Sequence, residues 1–277
     1  MNRVMTWCRA AWRLVQAGIS PVWLFRSCAR MQATYERSTP ITIVQEAGDC
    51  RVTIGQDRFL WPNQGQLEEL VQIAAEQSVG NHPHRYCWGP TPICRGDVVV
   101  DVGACEGAFT RLAARLGGGV YAIEPSRDMA CRLRELVGEE HLESVKVVEA
   151  MVGTEQRTVW FRDDAGRPGM SHPVSGDLEG AYRVDVKSLD QLVDEWKCAR
   201  VDFIKCDAEG ADLDVLKSAG KTLRLYAPKI AVCTYHVASH FDEIRSYLQP
   251  FGYRIRGKGL INTGSGIRVV MLHACRA

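Results

Sequence analysis

The sequence predicts an α/β protein built on an open, Rossmann-like sheet of parallel strands, and three stretches predict it. The first is Val98-Val99-Val100-Asp101-Val102, a continuous β-branched run of the kind buried on both faces of a parallel sheet. It turns through Gly103 and Gly107 into a helical pattern. The second is Val120-Tyr121-Ala122-Ile123-Glu124-Pro125, a short strand that ends in an acid about 20 residues after the first loop. The third, Val201-Asp202-Phe203-Ile204-Lys205-Cys206-Asp207-Ala208-Glu209-Gly210, again leaves a buried strand through acids and a glycine. Ligands of such sheets lie beyond the carboxyl ends of the strands, where these acids collect.

Length and composition fit this class. The chain has 277 residues, 46% hydrophobic, enough for a full core with an appendage. A net charge of +1 supplies no broad field for nucleic acid. Eleven cysteines without paired spacing, one of them inside the first loop, read as free thiols in a reducing compartment, so a cytoplasmic location is expected.

Three regions are expected along the chain. Residues 1–35 hold an amphipathic basic helix: Arg3, Arg9, Arg13, Arg26 and Arg30 occur with no acid before residue 31, opposite an apolar face that includes Trp7, Trp12 and Val15. Such a helix either packs on its own domain or rests on a membrane surface; Gln16 and Pro21 and its shortness argue against a membrane span. Residues 36–94 hold a small meander, from the pieces Ile41–Val44, Arg51–Ile54 and Arg58–Trp61, followed by a helix over Gln66–Gln77. The segment His82–Cys87, with Cys94 beyond it, has no standard zinc spacing and reads as the loop entering the core.

Residues 95–277 hold the core. Helices are expected over Ala108–Leu116 and over Arg127–Val137, the latter stopped by Gly138, with a third strand at Val145–Val148. The run from Asp163 to Gly180 has no periodicity and reads as a long loop. A helix over Ala211–Ser218, a strand over Ile230–Tyr235 ending at His236, and a helix over Phe241–Leu248 follow. Tyr253–Arg256 and Ile267–Leu272 should close the domain as a hairpin.

The first loop points to a particular ligand. Gly103 permits a turn closed to other residues, Gly107 permits close approach, and free N–H groups at the helix start can receive a carboxylate. Glu124 stands where a ribose diol would be held. A nicotinamide dinucleotide prefers G-x-G-x-x-G, whereas this loop carries Asp101 before its first glycine and Glu106 within it. Two carboxylates suit a cationic nucleoside better than a pyrophosphate, so S-adenosylmethionine is the expected cofactor, with a dinucleotide as the alternative. The expected cofactor contacts are Asp101, Gly103, Ala104, Cys105, Gly107, Glu124, Pro125, the strand-end residues Glu149, Ala150 and Met151, and Asp207.

Together, Val98–Thr110, Glu124-Pro125, the block Ile204–Asp212 with Leu216, and the strand ending Tyr235-His236 resemble the FkbM family of S-adenosylmethionine-dependent methyltransferases. The K-x-D-x-E-G-x-E/D block, here Lys205, Asp207, Glu209, Gly210 and Asp212, is its specific part, and the resemblance covers residues 95–275. It implies a class I methyltransferase fold, a seven-stranded sheet with an antiparallel last strand. It also implies O-methylation of hydroxyls on a saccharide, lipid-linked glycan or secondary metabolite. Cys105 stands where the family often has Asn.

Methyl transfer to an alcohol requires alignment, exclusion of water and removal of the hydroxyl proton. Asp207 and His236 are the candidate bases, Lys205 the candidate stabiliser of developing charge, and Glu209 a candidate hydroxyl or lysine ligand. Lys205, Glu209 and Asp212 could equally brace the strand end as an ion-pair network. No metal is expected, because the strand beside Asp207 and Glu209 offers Thr234-Tyr235-His236 and no second acid. The alternative to an enzyme is a non-catalytic, cofactor-binding partner of a glycan or metabolite assembly complex.

Overall fold

The computed structural model describes residues 28–263 and 266–276. Most of the predicted basic N-terminal helix lies outside the described residues. The chain enters through α1 (Cys28–Ser38) and an antiparallel meander of β1 (Ile41–Gln45), β2 (Asp49–Ile54) and β3 (Asp57–Pro62). Cys50, Val52, Ile54, Phe59 and Trp61 alternate inward and pack on Leu70, Val71 and Ala74 of α2 (Leu67–Ser78). That period-2 pattern is what made the meander legible.

The core sheet has seven strands in the order β13-β14-β12-β11-β4-β5-β6. They are β4 (Val98–Val102), β5 (Gly119–Ile123), β6 (Val145–Val148), β11 (Phe203–Cys206), β12 (Lys229–Cys233), β13 (Arg254–Asn262) and β14 (Ile267–Cys275). β14 alone runs antiparallel, inserted between β12 and β13 as the long closing hairpin. The order reverses between β4 and β11, and both strands end at the ligand side there. A sheet of this order, with helices on both faces, is the class I methyltransferase fold.

Each face of the sheet carries its own core. On one, Val100, Ile204 and Val232 meet Leu192 of α5 (Leu189–Glu195), Leu216 of α6 (Asp212–Lys217), Leu223 of α7 (Gly220–Tyr226) and Ile244 of α8 (His240–Leu248). On the other, Val99, Phe203 and Met271 meet Phe109 of α3 (Ala108–Arg115) and Leu133 of α4 (Arg127–Glu139). Full burial of one such side chain contributes about 1.5–3 kcal/mol, which is why the β-branched runs place these strands at the centre.

Two expectations differ from the structure. Gly138 does not stop α4, which starts on a Ser126 side-chain cap 3.1 Å from the Met129 amide and runs to Glu139; the reversal comes at His141, with φ 51°. The long loop Asp163–Gly180 is partly ordered. It contains a 3-10 turn at Pro168–Met170 and the short strand β9 (His172–Val174), which joins a four-stranded sheet β7-β10-β8-β9. Its other strands are β7 (Met151–Val152), β8 (Arg157–Arg162) and β10 (Tyr182–Lys187). β8 is exposed at Arg157, Thr158 and Arg162 and buried only at Phe161, so it shows no clean alternation. Among the described residues, no helix is long and apolar enough to cross a membrane.

Candidate active site

The carboxyl ends of β4, β5, β11 and β12 open into one cavity of about 780 Å³. α2 covers it from one side with Glu69, Gln72 and Glu76, and the segment Arg167–Pro173 closes another. The cavity lies over the point where the strand order reverses, as the open-sheet rule requires.

One half is shaped by the loop after β4. Gly103 has φ 75°, and a Cβ there would collide with the Asp207 carbonyl oxygen; Cys105, with φ 44°, completes the turn. Glu124 stabilises it from β5: one carboxylate oxygen accepts the Cys105 amide at 2.7 Å and the other the Ser126 amide at 2.8 Å. Burial pushes the Glu124 carboxyl up to about 7, against the pull of those two amides. Gly103, Ala104, Cys105, Glu124, Pro125, Ala150 and Met151 all line this half.

Three expected cofactor contacts are absent from the lining. Asp101 is fully buried beneath the loop, accepting the Thr110 hydroxyl at 2.5 Å and pairing with Lys205 Nζ at 2.9 Å. Gly107 packs on Leu133, and its φ of 78° starts α3. Glu149 points away to Arg127 at 3.1 Å and Arg134 at 3.8 Å. Asp101 is taken by Lys205 and Thr110, Glu149 by two arginines, and Gly107 by the start of α3.

The other half gathers the residues of the specific block. Lys205 donates to the Val102 and Gly103 carbonyls besides pairing with Asp101, so its ammonium ties β11 to the loop after β4. Its pKa is raised: burial opposes the charge, but Asp101 and Asp207 outweigh it. Asp212 is fully buried and accepts the Ala208 amide at 2.9 Å and the Gly210 amide at 3.2 Å, fixing the turn in which Glu209 has φ 47°.

Asp207 stands at the centre. Tyr86 donates its hydroxyl to Asp207 Oδ2 at 2.5 Å, His84 Nε2 lies 3.7 Å from the same oxygen, and His236 Nε2 lies 3.8 Å from Oδ1. Burial works against the charged form, yet His84, Lys205, His236 and the Tyr86 hydroxyl together hold this carboxyl below its usual range. His236 also lies 3.5 Å from Glu209 and 3.7 Å from Asp212. Burial disfavours its charge, but these carboxylates push its pKa up to about 9, so the ring is a cation at neutral pH. Burial raises Glu209 to about 7.

Sequence reasoning missed Glu76, His84 and Tyr86, which all line the cavity. His84 belongs to the segment weighed for zinc; its Nδ1 pairs with Glu76 at 2.7 Å and its Nε2 lies 2.6 Å from Cys233 Sγ, while His82 accepts the His84 amide. Donor atoms of His84, Asp207 and Cys233, and those of Asp207, Glu209 and His236, each fall within 4.8 Å of one another.

The seven-stranded sheet, the glycine turn and the acids at the strand ends define a class I methyltransferase domain. The Methyltransferase FkbM domain matches residues 101–255, more than half of the chain, and the protein belongs to that family. Similar in structure is a Methyltransferase FkbM from Methylobacillus flagellatus KT, with 18% identity, 75% of this chain covered and a TM-score of 0.50. The match spans 54% of that chain. An O-methyltransferase from Bacillus cereus, solved with S-adenosylhomocysteine, matches at 16% identity over 64% of this chain and 73% of its own, with a TM-score of 0.39. A SAM-dependent O-methyltransferase from Thermotoga maritima matches at 15% identity over 67% of this chain and 61% of its own, with a TM-score of 0.36. No curated protein matches the chain.

Proposed function

We propose that the protein is an S-adenosylmethionine-dependent O-methyltransferase acting on a hydroxyl of a saccharide, lipid-linked glycan or secondary metabolite. The observation that carries this reading is the placement of the Gly103–Cys105 turn with Glu124 and the Asp207–His236 pair in one cavity of about 780 Å³. The residues fit a nucleoside cofactor: the turn leaves no space for a Cβ at Gly103, and Glu124 keeps lone pairs for a diol. When bound, S-adenosylmethionine supplies a methyl carbon already activated by a sulfonium leaving group.

The protein's own contribution is positional and protonic. Asp207, ionised at neutral pH, accepts the hydroxyl proton of the acceptor as its oxygen gains the methyl carbon, a step typically worth ~10²- to 10⁴-fold. His236, beside it with Nε2 3.8 Å from Oδ1, orients the carboxylate in its charged form and is the second candidate to receive the proton. Lys205 acts one step removed, holding Gly103 and Asp101 so that the turn keeps its shape. α2 and the Arg167–Pro173 segment exclude water and shape the acceptor side.

Calorimetry with S-adenosylmethionine, followed by labelled-methyl transfer to a panel of sugars, glycolipids and polyketide alcohols, tests the reading. Cofactor binding with transfer to one acceptor class is the expected outcome. Absence of binding at millimolar cofactor overturns it, and binding without transfer to any acceptor favours the non-catalytic partner. Turnover undiminished by a chelator is expected of the metal-free mechanism; loss restored by magnesium would replace it.

A further inference from the structure

We infer that Glu76, His84 and Tyr86 form a positioning chain that aims Asp207, so that helix α2, outside the matched family region, belongs to the reaction machinery. This inference rests on the reading of Asp207 as the group that takes the acceptor proton.

The chain is continuous in space although its members come from distant parts of the sequence. It begins at Gln72, whose amide donates to Glu76 Oε1 at 3.0 Å across one turn of α2. Glu76 Oε2 lies 2.7 Å from His84 Nδ1. His84 Nε2, which also touches Cys233 Sγ at 2.6 Å, lies 3.4 Å from the Tyr86 hydroxyl and 3.7 Å from Asp207 Oδ2. The Tyr86 hydroxyl donates to that same oxygen at 2.5 Å, the length of a charge-assisted O–H···O⁻ bond. Glu76, His84 and Tyr86 are each less than one-tenth exposed.

Two features distinguish this from ordinary packing. All the partners converge on Oδ2, whereas Oδ1 has no hydrogen-bond partner among the described residues and faces His236. The carboxylate is therefore clamped by one oxygen and offers the other. Its lateral freedom is removed as well: Lys205 Nζ lies 5.2 Å over the Tyr86 ring, Phe109 meets that ring edge-on at 5.3 Å, and Tyr235 meets the His84 ring edge-on at 5.5 Å. Misplacement of a reacting group by about 1 Å can cost on the order of 10²-fold in rate. A clamp at this position therefore acts on turnover and leaves cofactor affinity alone.

The test uses the full-length protein and the variants Glu76→Gln and Tyr86→Phe, both close to isosteric. In the wild type, a proton resonance downfield of the amide envelope is expected from the short Tyr86–Asp207 bond; it should vanish in Tyr86→Phe and in Asp207→Asn, and shift in Glu76→Gln. For transfer, kcat should fall about tenfold or more in each of the two clamp variants, with acceptor KM and cofactor Kd within about threefold. Because both act through one oxygen, the double variant should lose less than the product of the two losses. A resonance unaltered in Asp207→Asn, or kcat within twofold of wild type in both clamp variants, would overturn the chain. Failure of the methyltransferase reading shows itself separately, as wild-type protein that transfers no methyl group, while the resonance still decides whether the clamp exists.

Discussion

Lys205 Nζ lies 2.9 Å from Asp101 Oδ1, and neither side chain is more than about one-twentieth exposed. The pair joins two neighbouring strands, β4 and β11, directly beneath the cavity. Breaking it from one side strands an uncompensated charge in the interior. Asp101→Asn and Lys205→Met should each lower stability by about 3–5 kcal/mol, and the double change Asp101→Leu with Lys205→Met should recover much of that loss. Chemical denaturation of the four proteins checks this; singles as stable as wild type would show the pair to be dispensable.

Glu124 is the residue on which cofactor affinity should depend. Glu124→Ala should weaken S-adenosylmethionine binding by about 1–3 kcal/mol, roughly 10- to 100-fold in Kd. An affinity unchanged by this substitution would remove Glu124 from the ribose site.

The same carboxyl makes binding pH-dependent. Burial raises it to about 7 in the free protein, and only the ionised form accepts two diol hydroxyls. Affinity should therefore rise as pH rises through about 7, with release of a proton that calorimetry in buffers of different ionisation enthalpy can count. In the ligand-free protein the sign is opposite: stability should fall between pH 4.5 and about 7, because the folded state holds a proton that the unfolded state has released.

Asp207 and His236 should separate from Glu124 in kinetics. Asp207→Asn and His236→Gln are expected to reduce kcat while leaving cofactor affinity within a few fold, since both face the acceptor side. Equal losses in cofactor binding would make them supports of the turn.

The N-terminal segment supplies the last expectation. Residues 2–30 carry five arginines, the tryptophans Trp7, Trp12 and Trp23, and no acid. Basic residues near an anionic surface each contribute about 1 kcal/mol. Protein lacking these residues should still bind cofactor but lose co-sedimentation with anionic liposomes. Wild-type protein that stays in the supernatant at low salt would eliminate membrane contact.

The core was legible because buried parallel strands advertise themselves. Val98–Val102 and Phe203–Cys206 are buried on both faces and mostly apolar, and the acids and glycines that follow them can sit only where a sheet opens. Legibility stopped where a side chain's direction depends on its neighbours. Asp101 and Glu124 look alike in sequence, each ending a strand, yet one is taken by Lys205 and the other faces the cavity. His84 and Tyr86 were read as part of an entry loop because no periodicity links them to Asp207, 121 residues beyond Tyr86; only the fold brings them together. β8 leaves no clean alternating pattern, whereas β10 does alternate, with Val184 and Val186 buried and Arg183 and Asp185 exposed, and its signal was passed over.

The meander is fastened to the core helices by arginines. Arg51 of β2 binds Glu46, Glu135 and Glu139 at 2.6–2.8 Å, Arg132 of α4 binds Asp49, and Arg111 and Arg115 of α3 share Glu140 while reaching the Arg58 carbonyl and Asp57 of β3. Meander and core helices are thus charge-matched halves of a single joint. Anyone exchanging the first hundred residues between relatives to alter acceptor choice must transplant the meander-facing sides of α3 and α4 with them, or Arg51 loses Glu135 and Glu139, Arg132 loses Asp49 and Arg115 loses Asp57.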